Sequence, residues 1–200
     1  MKAEGRPADT PESWPVLSTT TESEGAIVSV FSEEIEAPDG GRFVRQVVRH
    51  PGAVAVVAVD SEDRVLVLSQ YRHPVRQRLV ELPAGLLDVD GEDPESAAVR
   101  ELAEEAQLSA RHWSVLVDVL TSPGIHDEAV RIFLAEELSE IDLPAGFEAE
   151  HEEADMSRHW VRLDELVTAI LDGEVKDSLT VSGSLALWAR RHGYGSGKQL

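Results

Sequence analysis

The chain is expected to fold as a strand-rich mixture of α and β, and three features carry that expectation. Apolar runs such as AVAVVAVD (residues 53–60) and RVLVLSQYRH (64–73) have strand length and β-branched composition. Only three stretches carry convincing helical signals, and they do not alternate strictly with strands. The length of 200 residues, 42% of them hydrophobic, suits one domain with a small appendage.

Taken in order, residues 1–24 are rich in Pro, Ser, Thr and Glu. Trp14, Val16 and Leu17 are the apolar anchors there, a composition that predicts a flexible tail or an extended arm. Residues 25–50 hold two β-rich runs around APDGG, a hairpin signal, and form a small arm. The main domain is placed at 51–193. Its first strand, with Val54, Val56 and Val57, is apolar at nearly every position, as in a strand buried on both faces. HWSVLVDVLTSPG and AVRIFLAEEL read as strands bracketing the loop TSPGIHDE, and LPAGFEAEHEEADMS reads as an acidic loop. HWVRL is a short strand, DELVTAILDG a helix with Asp164 as its cap, and DSLTVSGSLALWARRHG the last helix. Residues 194–200 are a frayed tail.

The formal net charge of −20 sets the chemistry this surface can do. It repels nucleic acid and anionic membrane surfaces, so neither is an expected partner. A phosphorylated substrate would be repelled as well, unless local arginines or bound cations reverse the field. Cysteine is absent, which removes disulfides, thiolate metal sites and cysteine nucleophiles. With no apolar run of membrane-spanning length and no signal-peptide core, the expected setting is the cytoplasm.

Against this background, the stretch ELPAGLLDVDGEDPESAAVRELAEEAQL (81–108) is conspicuous for packing acids together. Asp93 is a good N-cap, Pro94 fits the first helical position and Glu95 faces the positive end of the dipole. Ala98, Leu102 and Ala106 form the apolar stripe. Glu101, Glu104 and Glu105 then fall within about 100° of arc on another face, with Arg100 at its border. Like charges at helical spacing repel, so the patch is either a solvated acidic face or a set of oxygen ligands for a hard divalent cation.

Gly85, Glu92 and Arg100-Glu101-Leu102-x-Glu104-Glu105-x-x-Leu108 resemble the Nudix box, GX5EX7REUXEEXGU with U aliphatic. Two departures stand out: one extra residue between Gly85 and Glu92, and Gln107 where the pattern has glycine. A glycine there would supply the left-handed helix cap, and glutamine in that conformation costs roughly 1 kcal/mol. GAVAVVAVD, QYRH, ELPAGLLD, TSPGIHDE and HEEADM extend the resemblance to the ADP-ribose pyrophosphatase branch of the superfamily.

That resemblance implies an α/β/α sandwich around a mixed sheet, with an N-terminal antiparallel β arm that joins two subunits into a homodimer. It implies hydrolysis of ADP-ribose to AMP and ribose 5-phosphate with Mg²⁺, or Mn²⁺ in its place, and two or more ions per site. It makes Glu101 and Glu105 metal ligands, with Glu104 and the Ala84 carbonyl beside them, and pairs Glu92 with Arg100. For the general base it favours Glu153 over its neighbours Glu152 and Asp155. On the substrate side it points to Arg72 for phosphate, Glu81 for adenine or ribose, Gly85 and Leu86 as pocket lining, and Glu128 for the terminal ribose. Arg45 would reach a partner's substrate if the arm crosses. Two alternatives stay open: the same chemistry on another nucleoside diphosphate sugar or a dinucleotide, and a non-catalytic ADP-ribose sensor.

Overall fold

The computed structural model describes residues 7–143 and 155–195. They divide into two units, Met1–His50 with Gly124–Asp127, and Pro51–Pro123 with Glu128–Leu200.

The first unit is a three-stranded antiparallel sheet of β1 (Val16–Glu24), β2 (Ser29–Glu36) and β3 (Arg42–Arg49), in that order. The hairpin between β2 and β3 turns at the APDGG motif, where the Ala37 N–H donates to the Gly41 carbonyl at 2.7 Å and Gly40 takes φ 83°. Opposite charges face each other across it, Glu33 beside Arg45 and Glu36 beside Arg42. The loop 124–127 is tied on by Arg49, whose Nη1 donates to Asp127 at 2.9 Å. Of the two forms expected for residues 1–24, a flexible tail or an extended arm, β1 takes the second over Val16–Glu24. Its sequence VLSTTTESE is polar but rich in β-branched residues, and the open edge of β2 supplies the backbone partners that hold it extended.

The second unit is a mixed α/β/α layer structure, and the reason lies in β4 (Ala53–Ala58), which is buried along its whole length. Successive side chains of a strand point to opposite faces. Val54, Val56 and Ala58 meet Ala97, Ala98, Leu102 and Ala106 of α1 (Pro94–Ala106). Ala53, Ala55 and Val57 meet Leu163, Leu166 and Ile170 of α2 (Leu163–Leu171) and Leu187 of α3 (Ser178–Arg191). Each buried valine contributes about 1.5–3 kcal/mol, so this one strand is the axis of both cores.

β4 pairs antiparallel with β7 (Ala84–Leu86) and parallel with β9 (Ala129–Glu140), which pairs antiparallel with β8 (Leu108–Leu120). A second sheet runs β10 (Ser157–Arg162), β5 (Arg64–Arg72), β6 (Gln77–Glu81). Gly183 lets α3 approach closely, since a Cβ there would lie 2.9 Å from Val57 and 3.0 Å from Leu82. Among the described residues no helix is long and apolar enough to cross a membrane.

The helix ends are set by local chemistry. Asp93 caps α1 as expected, its Oδ1 accepting from the N–H groups of Glu95 at 3.0 Å and Ser96 at 3.1 Å. Asp164 does not cap α2. The helix already begins at Leu163, and Asp164 sits in the first turn, held by Arg162 at 3.0 Å. Its negative charge there suits the helix dipole instead.

Candidate active site

The site residues on α1 come together with the ends of β5, β6 and β7, all within the second unit. Gly85, in β7, is where the helix presses closest: a Cβ built there would fall inside the Glu101 side chain. Glycine at this position is a steric requirement of bringing that carboxylate against the β7 backbone.

Arg100 organises the acids around it. Its Nε and Nη2 donate to the two oxygens of Glu92 at 3.1 and 3.0 Å, a bidentate pair between the loop and the helix. Its Nη1 reaches Glu101 at 2.5 Å and Glu104 at 3.3 Å. Hydrogen bonding to Arg100 holds the Glu92 carboxyl below its ordinary range. The same bonds to Glu92, opposed by burial and reinforced by Glu101, push the Arg100 guanidinium further up. Glu105 turns the other way and accepts the Ala84 N–H at 2.9 Å. The Glu101 and Glu104 side chains keep only 13% and 22% of their exposure. A solvated acidic face would leave them open; here they are half-buried and directed at named partners.

Arg72 and Glu81 form a second pair. Nε of Arg72 donates to both Glu81 oxygens, at 3.0 and 3.1 Å, and Nη2 to Oε2 at 2.8 Å. Glu81 is buried, so its charge needs this partner. The bond to Glu81 raises the Arg72 pKa against the effect of burial, with further help from the charges of Glu105 and Asp177. Nε and Nη2 are thus both engaged with Glu81.

The other expected residues are more scattered. Leu86 lies opposite Ala53 in the β4–β7 pairing, half-buried. Glu128 accepts a hydrogen bond from Thr121, closing the base of the loop between β8 and β9. Arg45 belongs to the first unit, its guanidinium 5.2 Å from the centre of the Phe43 ring. Glu152 and Glu153 fall outside the described residues. Asp155 is held by Arg78, whose Nη1 also donates to the Asp155 and Ser69 carbonyls at 3.1 Å each. Sequence reasoning passed over three residues that matter here: Arg78, Asp177 and Arg158. Only Asp177 left a readable signal, as an N-cap three residues before a helical Thr, and its Oδ2 does accept the Thr180 N–H at 2.8 Å.

Hard carboxylate oxygens on one helical arc are the donor set that a Mg²⁺-like ion takes. Among the described residues no three acidic or histidine side chains converge on one point. Arg100 and the Ala84 amide draw the oxygens apart, so an ion would take Glu101 and Glu104 in competition with Arg100. The donor chemistry of these carboxylates fits such an ion, which would displace the Arg100 and Ala84 contacts.

Residues 49–180 match the profile of the NUDIX domain. The chain belongs to the Nudix family. A protein of Mycobacterium tuberculosis (strain ATCC 25618 / H37Rv), ADP-ribose pyrophosphatase, is 45% identical over 184 residues, covering 92% of this chain and 87% of that one. The methanol dehydrogenase activator of Bacillus methanolicus is 38% identical over 157 residues, 78% of this chain and 83% of its own. A crystal structure of an ADP compounds hydrolase shares the fold with a TM-score of 0.75 at 22% identity, covering 94% of this chain and 100% of that one. The chain is therefore a Nudix enzyme, and Nudix ADP-ribose pyrophosphatases generally need a divalent metal. Gly85, Glu92 and Arg100 to Glu105, whose spacing resembles the Nudix box, lie within the matched residues.

Proposed function

We propose that this Nudix enzyme hydrolyses the diphosphate bond of ADP-ribose to AMP and ribose 5-phosphate, with Mg²⁺ as the cation. The observation that carries the reading is the half-buried arc of Glu101, Glu104 and Glu105 facing Gly85, with Arg72 at the neighbouring strand end. Similarity across 92% of the chain to an ADP-ribose pyrophosphatase supports the choice of substrate.

In this proposal Glu101 and Glu105 hold the cation, with Glu104 and the Ala84 carbonyl contributing. A divalent ion neutralises diphosphate charge and lowers the pKa of an attacking water. Arg72, fixed by Glu81, faces a phosphate oxygen. Arg100 and Glu92 keep the loop and helix in register. Glu153 accepts the proton of the attacking water, since a carboxylate outside the ion-holding helix retains its basicity. Gly85 and Leu86 line the pocket, and Glu128 lies toward the terminal ribose.

A second reading keeps the chemistry and changes the nucleotide. Both Glu81 oxygens are already engaged by Arg72, which leaves them less able to read adenine. Selection among nucleoside diphosphate sugars depends on such hydrogen bonds. A panel of ADP-ribose, other nucleoside diphosphate sugars and dinucleotides, with product phosphates detected, separates the readings. ADP-ribose should have the highest kcat/KM; equal values across the panel would reject the assignment, and no turnover of any would favour a sensor.

The proposal also includes a cytoplasmic homodimer formed through the N-terminal sheet. Val16, Leu17 and Val44 are exposed on this small sheet, which has too few strands for a core of its own. Sedimentation at micromolar concentration should give a dimer, and a fully active monomer of 21.9 kDa would dispose of it.

A further inference from the structure

We propose that Arg158 is a positioning residue for the carboxylate helix, reaching from β10 to do what the glycine of the box does elsewhere in the family. This rests on the reading of α1 as the ion-holding helix. The last residues of any α-helix leave carbonyls without intrahelical donors, and a basic side chain or a left-handed glycine commonly meets them. α1 has neither within itself: no basic residue lies in its last turn, and Gln107 stands at the cap with φ 55° and ψ 41°.

Arg158 supplies both missing parts. Its Nη1 donates to the Ala106 carbonyl at 2.6 Å, the last of the helix. Its Nη2 donates to the Gln107 side-chain Oε1 at 2.9 Å, which fixes the glutamine in its left-handed conformation. The Gln107 backbone is held on both sides as well. Its N–H bonds the Ala103 carbonyl at 3.1 Å and its carbonyl accepts from Ile141 at 3.0 Å. A cleft of about 370 Å³ lined by Ala106, Gln107, Arg158 and Trp160 opens beside this junction. Water therefore has access to the helix end, and fraying there would carry Glu104 and Glu105, two and one residues before Ala106, out of place.

A glycine at 107 needs no such support, because it adopts the left-handed conformation without a Cβ clash. The dependence on Arg158 should therefore be conditional on Gln107, and that is the test. Mn²⁺ binding to the full chain without substrate, followed by electron paramagnetic resonance, reads the carboxylates directly; amide exchange of Ala106 and Gln107 reads the helix end. Arg158→Ala should weaken Mn²⁺ binding about tenfold, the lower end for loss of an outer partner, and speed that exchange. Adding Gln107→Gly should restore binding to within about threefold. Arg158→Lys, which keeps the charge but not the fork, should fall between and carries the test if the alanine variant does not fold.

Unchanged Mn²⁺ binding in Arg158→Ala, even with a lowered Tm, would overturn the proposal, as would a loss that Gln107→Gly leaves unrescued. Glu105→Gln is the control. If it too leaves Mn²⁺ binding intact, the failure belongs to α1 as the ion-holding helix and not to Arg158 as its cap.

Discussion

Two acidic patches of the second unit have similar composition and opposite character. One is the arc of Glu101, Glu104 and Glu105. The other lines a cleft of about 570 Å³ with Asp60, Asp63, Glu136 and Glu137, and includes Arg191. In the cleft each acid has an arginine partner: Asp60 with Arg64 at 2.6 Å, Asp63 and Glu136 with Arg191 at 3.4 and 2.9 Å, Glu137 with Arg111 at 3.6 Å. On α1 a single guanidinium serves Glu92, Glu101 and Glu104 together, and Glu105 has a backbone amide. Acid density does not distinguish the two. The close approach of Gly85 to the Glu101 side chain does, for the cleft has no such contact of a carboxylate against a glycine backbone among its lining residues.

The broadest way to break the comparison is to remove divalent cations. Chelator should abolish turnover and Mg²⁺ or Mn²⁺ should restore it, because a chain of net charge −20 has little else with which to neutralise a diphosphate. Full activity in excess chelator would place the two patches on the same footing. Next in size is Glu153→Gln, expected to lower kcat by roughly 10²–10⁴ with KM nearly unchanged, since the proton moves only in the transition state. Glu152→Gln should be much milder. If both are mild, the base lies on α1 and Glu104 is the first suspect.

Glu105→Gln sharpens the contrast directly. It keeps the size of the side chain and an acceptor for the Ala84 N–H, yet removes a ligand charge, so a loss of at least ~100-fold is expected. The matched substitution in the cleft, Glu136→Gln, should stay within about twofold, as surface changes away from special features usually do. A loss below threefold for Glu105→Gln, or equal losses for the two, would contradict the assignment of roles.

Much of this contrast could be read from sequence, and the part that could not has a common cause. The apolar run of β4, the cap of α1 by Asp93 and the arc of three glutamates depend on residues within a few positions of one another, where period and capping rules operate. The fold's two-faced core follows from the same strand. Arg72 with Glu81, and Arg158 with Gln107, are set by strand register and by how β10 passes the end of α1. No local rule links residues brought together that way. β1 was half-hidden for another reason: its polar threonines suit a tail as well as an arm, and only pairing with β2 makes them a strand.

The smallest expected effect tests the cleft as a structural device. Asp60 closes the turn before β5: its Oδ1 accepts from the N–H groups of Glu62 and Arg64 at 2.9 Å each, and its Oδ2 accepts from Arg64 Nε at 2.7 Å. Burial pushes its pKa up, but the Arg64 backbone and side chain and the Glu62 amide outweigh this and leave it below the ordinary 3.8. Asp60→Asn keeps an acceptor for the backbone and loses the charge facing Arg64, so a destabilisation of about 1 kcal/mol is expected, with kcat unchanged within about twofold. The sign of the pH dependence follows from the depressed pKa. The charged form's contribution is fully present above the unfolded value of 3.8 and is lost as pH falls through the lower folded value. Asparagine does not titrate over that range. Urea unfolding of the two proteins should therefore show a constant gap from about pH 7 to about pH 5 that narrows below about pH 4. A gap that persists undiminished into acid would mean the charge is not its source. A large loss of kcat would mean that the cleft takes part in the chemistry after all, and that the two acidic patches are less different than their partners suggest.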